Sequence, residues 1–176
     1  MRNIALLLTM VLGTIVCQAQ TSTITTAQPQ PDTSAVKAQV NAVLLIYYDL
    51  KNALTKDDGK TASAKATELL AALGKVDTSA MIAGQTAEYT LLQANIKSAA
   101  EQIAATSQVG RQREHLDMLS DNIWLLVKSF DANEQPAYRQ YCPMVKKYWV
   151  SGEKAVKNPY YGQQMLTCGS VKEKLD

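Results

Sequence analysis

Two short segments in the last quarter of the chain hold the residues best suited to chemistry. Cys142-Pro143-Met144 and Met165-Leu166-Thr167-Cys168 each join a thiol to a thioether. Both donors are soft, and together they select Cu(I) and related ions over Mg or Ca. Residues two apart share a face of an extended chain, so Cys142 and Met144 converge if their segment is extended. Residues three apart share a face of a helical turn, so Met165 and Cys168 converge if theirs turns. Four sulfurs would then surround one ion. The competing reading is a Cys142–Cys168 disulfide that closes the tail into a loop, stabilising it by roughly 3 kcal/mol, with both methionines as packing. The two states exclude each other, because a disulfide sulfur is a poor metal ligand.

His115 is the single histidine, three residues before Met118. As a ligand it would add a nitrogen donor, but a lone helical histidine is more often a partly exposed surface residue. Cys142 with His115 has no orienting third group for nucleophilic catalysis, and no glycine-rich phosphate loop occurs. An enzyme is therefore not expected. Eighteen basic against 16 acidic side chains make no field that would draw nucleic acid.

The compartment is set by residues 1–19. Arg2 is followed by an apolar run from Ile4 to Val16, and Cys17-Gln18-Ala19 offers small residues for cleavage after Ala19. This predicts a secretory signal peptide and an exported, periplasmic chain. Lipidation at Cys17 is the less favoured alternative, because Val16 stands where such sites want a small residue. Cleavage leaves Cys142 and Cys168 in an oxidising place, where an even pair defaults to a disulfide. No later run is long and apolar enough to span a bilayer.

The elements that must position the sulfurs follow from spacing. Residues 20–31 (QTSTITTAQPQP) are polar and carry two prolines, a flexible spacer. A single domain is expected over 32–176, with the sulfur-bearing tail at 137–176. Apolar residues at three- and four-residue steps predict four helices. The first runs from Asp32-Thr33-Ser34 to just before Asp57-Asp58-Gly59, and the second from about Thr61 to Gly74. The third opens at Asp77-Thr78-Ser79, and the fourth runs from near Ser107 to Phe130. Short connections make consecutive helices antiparallel neighbours, so the expected fold class is all-α, an up-and-down four-helix bundle. The tail shows no sustained helical period. It is expected to be irregular, with one short helix around Val150 to Val156, anchored on the bundle by Trp149.

The tail also resembles a known family. Tyr141-Cys142-Pro143-Met144, Trp149, Asn158-Pro159-Tyr160-Tyr161-Gly162, Met165 and Cys168-Gly169 resemble the DUF3347 family, and Arg113 and Leu119-Ser120 fit its pattern. The resemblance covers roughly residues 36–171. Such domains occur as small exported proteins of Bacteroidetes and attached to periplasmic adaptor subunits of copper/silver-type efflux systems. The resemblance implies a helical domain that handles copper or a similar metal, with Cys142, Met144, Met165 and Cys168 as the sulfurs. The family commonly has an aromatic where this chain has His115. The resulting expectation is a free-standing exported protein that binds Cu(I) or a similar soft ion and sequesters it or hands it on. Its expected partner is an efflux adaptor or another envelope protein. The alternative is an envelope protein-interaction module stapled by a Cys142–Cys168 disulfide.

Overall fold

A computed structural model describes residues 33–176. The expected signal peptide (1–19) and spacer (20–31) lie outside the described residues. Helix α1 spans Ser34–Thr55 and buries Val36, Val40, Val43, Leu44, Tyr47, Leu50 and Leu54 on one face. Asp57, with φ of 58°, turns the chain. Helix α2 then spans Gly59–Leu73, with the Asp58 carboxylate accepting the Thr61 N–H at 3.0 Å as its cap. The expected start of the third helix at Asp77 needs correcting. Asp77 caps only a single 3₁₀ turn, Thr78–Ala80, and extended residues Met81 and Ile82 separate it from helix α3, Ala83–Ala104. Helix α4 spans Val109–Phe130. Each helix packs on the next and α4 returns against α1, which closes the bundle around Tyr47, Leu69, Tyr89, Ile96, Leu119 and Ile123.

The tail departs from expectation. It is irregular over 152–169 apart from one 3₁₀ turn, Gly162–Gln164, but it carries three strands and no helix at Val150 to Val156, so the class is helices plus a small sheet and not all-α. Strands β1 (Ala137–Cys142), β2 (Lys147–Ser151) and β3 (Ser170–Leu175) form an antiparallel sheet in the order β2-β1-β3. The hairpin between β1 and β2 pairs Cys142 with Lys147 and Gln140 with Trp149, and Lys146 takes φ of 57° in its turn. Alternation along these strands puts Gln140, Cys142 and Trp149 on one face and Arg139, Tyr141, Tyr148 and Val150 on the other. Burial does not alternate strictly along β1 or β2, where Trp149, Val150 and Ser151 are all buried in a row. The strand signal is weakened further because buried positions of β1 carry Gln140 and Cys142 where a strand ordinarily shows valine or isoleucine.

Polar bonds dock the sheet on the helices. The Tyr47 hydroxyl accepts the Val150 N–H at 3.1 Å and shares a hydrogen with the Ser120 hydroxyl at 2.7 Å. Arg139 bridges Asp121 on α4 (2.8 Å) and Glu173 on β3 (2.7 Å) while its guanidinium stacks on Tyr148. Trp149 is buried in the shared core, edge-on to Tyr160, as its anchoring role requires. Lys51 of α1 is also buried there, its Nζ reaching the Ser151 hydroxyl at 3.5 Å. No helix among the described residues is long and apolar enough to cross a membrane.

Candidate metal centre

Cys142 ends β1, and the turn that follows curls back over its sulfur. The backbone N–H groups of Val145 and Met144, the Asn158 amide and the Cys168 thiol all bond to Cys142 Sγ. Burial alone would push this thiol up, but the donors outweigh it and hold it below its ordinary value. Cys168 behaves oppositely. Its burial, its hydrogen bond to Cys142 and the charge there all push it up. The pair is therefore unequal, with Cys142 the more acidic thiol and Cys168 the less acidic one, and the sulfurs lie 4.0 Å apart. Cys142 is 0% exposed and Cys168 is half-buried, so solvent reaches the pair from the Cys168 side.

Asn158 pins the two halves. Its Nδ2 donates to the Cys168 carbonyl at 2.7 Å and its Oδ1 accepts the Tyr160 N–H at 2.8 Å. Its own N–H donates to the Leu166 carbonyl at 2.7 Å. With the amide also bonded to the Cys142 sulfur, one buried side chain sets the spacing of both cysteines. Asn158→Ala leaves the Cys168 carbonyl and the Cys142 sulfur without this donor. It is expected to destabilise the protein by about 1 to 3 kcal/mol and to raise the Cys142 pKa, which thiolate absorbance followed against pH reads directly.

Two glycines let the tail close. Gly169 has φ of 149°, and a Cβ there would stand 2.7 Å from the Trp149 ring and 2.9 Å from the Tyr141 carbonyl oxygen. Gly169→Ala is therefore expected to shift Cys168 away from Cys142 and to cost on the order of 1 to 3 kcal/mol, seen as a lower thermal midpoint. Gly162 has φ of 55°, and its Cβ would meet Asp57 Oδ1 at 2.3 Å and Arg113 Nη2 at 2.5 Å. That contact marks a clamp which sequence reasoning missed. Arg113 donates to the carbonyls of Pro159 (2.6 Å) and Leu54 (2.9 Å) and to Asp57 (2.6 Å). Asp57 in turn accepts the Gln163 N–H at 3.1 Å. The Arg113 hydrogen bond, then that of Gln163, holds the Asp57 carboxyl below the usual carboxylate range. Asp57 reads in sequence only as part of a turn, and Arg113 only as a match to a family pattern. A second missed device is Gln140, whose buried amide donates to the carbonyls of Glu153 (3.0 Å) and Lys154 (3.1 Å) and holds the loop after β2.

The four sulfur residues do not all share one enclosure. Met144 is 62% and Met165 38% exposed, so both thioethers stand at the surface on the segments that carry the cysteines. The Met165 carbonyl accepts the Cys168 N–H at 3.1 Å, so this segment is a tight turn. His115 is half-buried in a hollow lined by Gln102, Ala105, Thr106, Arg111 and Glu114, and none of the four sulfur residues lines that hollow. Among the described residues no three His, Cys, Asp or Glu side chains gather in an arrangement that could hold a metal ion. The donor set on offer is thus two thiols, with thioethers beside them. Metal–thiolate bonds of about 2.3 Å put two sulfurs on one ion about 3.8 Å apart at a tetrahedral angle and about 4.6 Å apart in line. The observed 4.0 Å lies between these values.

No curated protein and no solved structure matches the chain. A family model does match, over residues 43–135, which runs from the middle of α1 to the loop before β1. The matched segment holds Arg113, Leu119 and Ser120 but stops short of Cys142, so the family rests on the helices and the sulfur-bearing tail lies beyond it. On that match, over just more than half of its length, the chain belongs to the family described as "Protein of unknown function (DUF3347)".

Proposed function

We propose that this protein binds a soft metal ion, Cu(I) in first place, through Cys142 and Cys168, with Met144 and Met165 as thioether donors at the mouth of the site. It holds or hands on the ion in an exported compartment, in the service of heavy-metal efflux or homeostasis, and does no catalysis. One observation carries the reading: the buried Cys142 sulfur, ringed by N–H donors that lower its pKa, faces a second thiol at 4.0 Å. A thiolate is the metal-binding form of cysteine, and N–H donors around a sulfur tune how strongly it binds. The exposed thioethers suit delivery, since a soft donor at the surface can share an ion with a partner before the buried pair takes it.

The test is titration of the reduced protein with Cu(I) against a chromophoric chelator. One ion per chain, bound in competition with the chelator, is expected. Met144→Ala and Met165→Ala should each weaken binding by no more than about tenfold, as supporting donors do. Binding no stronger than that of a variant lacking both cysteines would end the proposal. The alternative, an envelope interaction module stapled by a Cys142–Cys168 disulfide, draws on the same 4.0 Å spacing. It requires that protein purified without reductant carry no free thiol.

A further inference from the structure

We infer that Cys142 and Cys168 also exchange with small disulfides, Cys168 as the sulfur that meets the oxidant and Cys142 as the sulfur that resolves it. This rests on the reading of the pair as reduced, metal-holding thiols. Access separates the two sulfurs. Cys142 is 0% exposed, beneath the 143–146 turn and the Asn158 amide, so no external disulfide reaches it. Cys168 is half-buried and open to solvent, in the 165–169 segment between exposed Met165, exposed Thr167 and half-buried Gly169. The Cys168 sulfur lies within reach of Cys142, at 4.0 Å. Closing them to bonding distance, about 2.05 Å, takes a shift of roughly 2 Å that side-chain rotation can supply.

The steps balance with a low-molecular-weight disulfide, R–S–S–R, as oxidant. Cys168 loses its proton to solvent and attacks one sulfur of the oxidant. The S–S bond of the oxidant breaks, a Cys168–S–R bond forms, and the first thiol leaves with the electron pair and a proton. Cys142 then attacks Cys168 Sγ, the mixed bond breaks, and the second thiol leaves in the same way. The protein is oxidised by two electrons and the disulfide is reduced to two thiols. Because a disulfide sulfur is a poor ligand, the oxidised protein gives up its ion. A bound ion in turn occupies both sulfurs and blocks the first step.

Oxidised glutathione is the probe, added to the reduced protein and followed by intact mass. Wild type is expected to end two hydrogens lighter, with no lasting glutathione adduct. Cys142→Ser should accumulate one stable adduct at Cys168, and Cys168→Ser should be modified at least about tenfold more slowly, since its remaining thiol is buried. Circular dichroism confirms that each variant keeps its helices. If a variant unfolds, the wild-type arm still decides. A lasting mixed disulfide, or two thiols unchanged under conditions that oxidise a free dithiol, overturns the inference, as does equal labelling of the two folded variants. Cu(I) titration of the untreated reduced protein is unaffected by any of these outcomes, so failure of the exchange chemistry and failure of the metal reading are told apart.

Discussion

Replacing Cys142 by serine is expected to weaken Cu(I) binding by at least about a hundredfold while the helical circular dichroism stays unchanged. The size follows from losing one of two thiolates, which costs more than the tenfold to hundredfold attributed to groups that merely orient a ligand. The hydroxyl keeps nearly the shape of the thiol, so the Val145 and Met144 N–H groups and the Asn158 amide retain an acceptor and the tail stays closed. Cys168→Ser should weaken binding comparably. If Cys142→Ser binds Cu(I) as wild type does, the sulfur pair is not the site. If it loses its fold instead, Cys142 is a core residue before it is a ligand.

The second large effect concerns pH. Lys51 is 2% exposed, and burial, opposed by Glu153 and assisted by Lys157, lowers its pKa from 10.5 to about 8. Between those values the unfolded chain binds more protons than the folded one, so stability rises with pH across the window. Below about pH 8 both states carry the charge and its cost is fully present, on the order of 3 kcal/mol for a shift of this size. Lys51→Met keeps the aliphatic stem and removes the ammonium. It is expected to be more stable than wild type at pH 7 by up to that amount, with the difference shrinking toward pH 10. Urea midpoints for both proteins at several pH values measure this. Buried Tyr47 and Tyr160 and half-buried Tyr48 are shifted upward from 10.0 and oppose the trend at high pH, but they cancel in the comparison of the two proteins. An advantage independent of pH would mean that Lys51 is neutral or solvated throughout.

The helices were legible because the burial that makes them leaves a regular trace. Val36, Val40, Val43, Tyr47, Leu50 and Leu54 step by three and four along α1, and Gly74 follows the last residue of α2. The start of α3 was misplaced because Asp77 caps a 3₁₀ turn as readily as a helix, and only the packing of Ala83 onward separates the two. The strands were not legible as strands. Gln140 is buried because it binds the carbonyls of the 153–154 loop, a partnership that composition does not reveal. In β3 (SVKEKL) Lys172 and Lys174 alternate with half-buried Val171, Glu173 and Leu175, a pattern easily taken for a charged tail.

At the candidate site the two cysteines stand out by residue type and by the expected compartment alone. Their inequality does not, because it comes from N–H donors supplied by a turn and by Asn158, which no spacing rule encodes. The methionines were expected beside the thiols in one cavity and stand instead at its surface, since the 142–146 turn points its backbone, and not Met144, at the Cys142 sulfur. The clamp of Arg113 on Asp57 joins residues 56 positions apart.

The central claim is that Cys142 and Cys168 act together on one ion, and thiol protection tests it most directly. Protein purified without reductant is alkylated with and without one equivalent of Cu(I), and its intact mass is measured. Two labels without Cu(I) and none with it are the expected result. Two labels in both samples would contradict the claim outright. No label in either, with a mass two hydrogens short, would mean that the protein carries the disulfide and binds metal only after reduction.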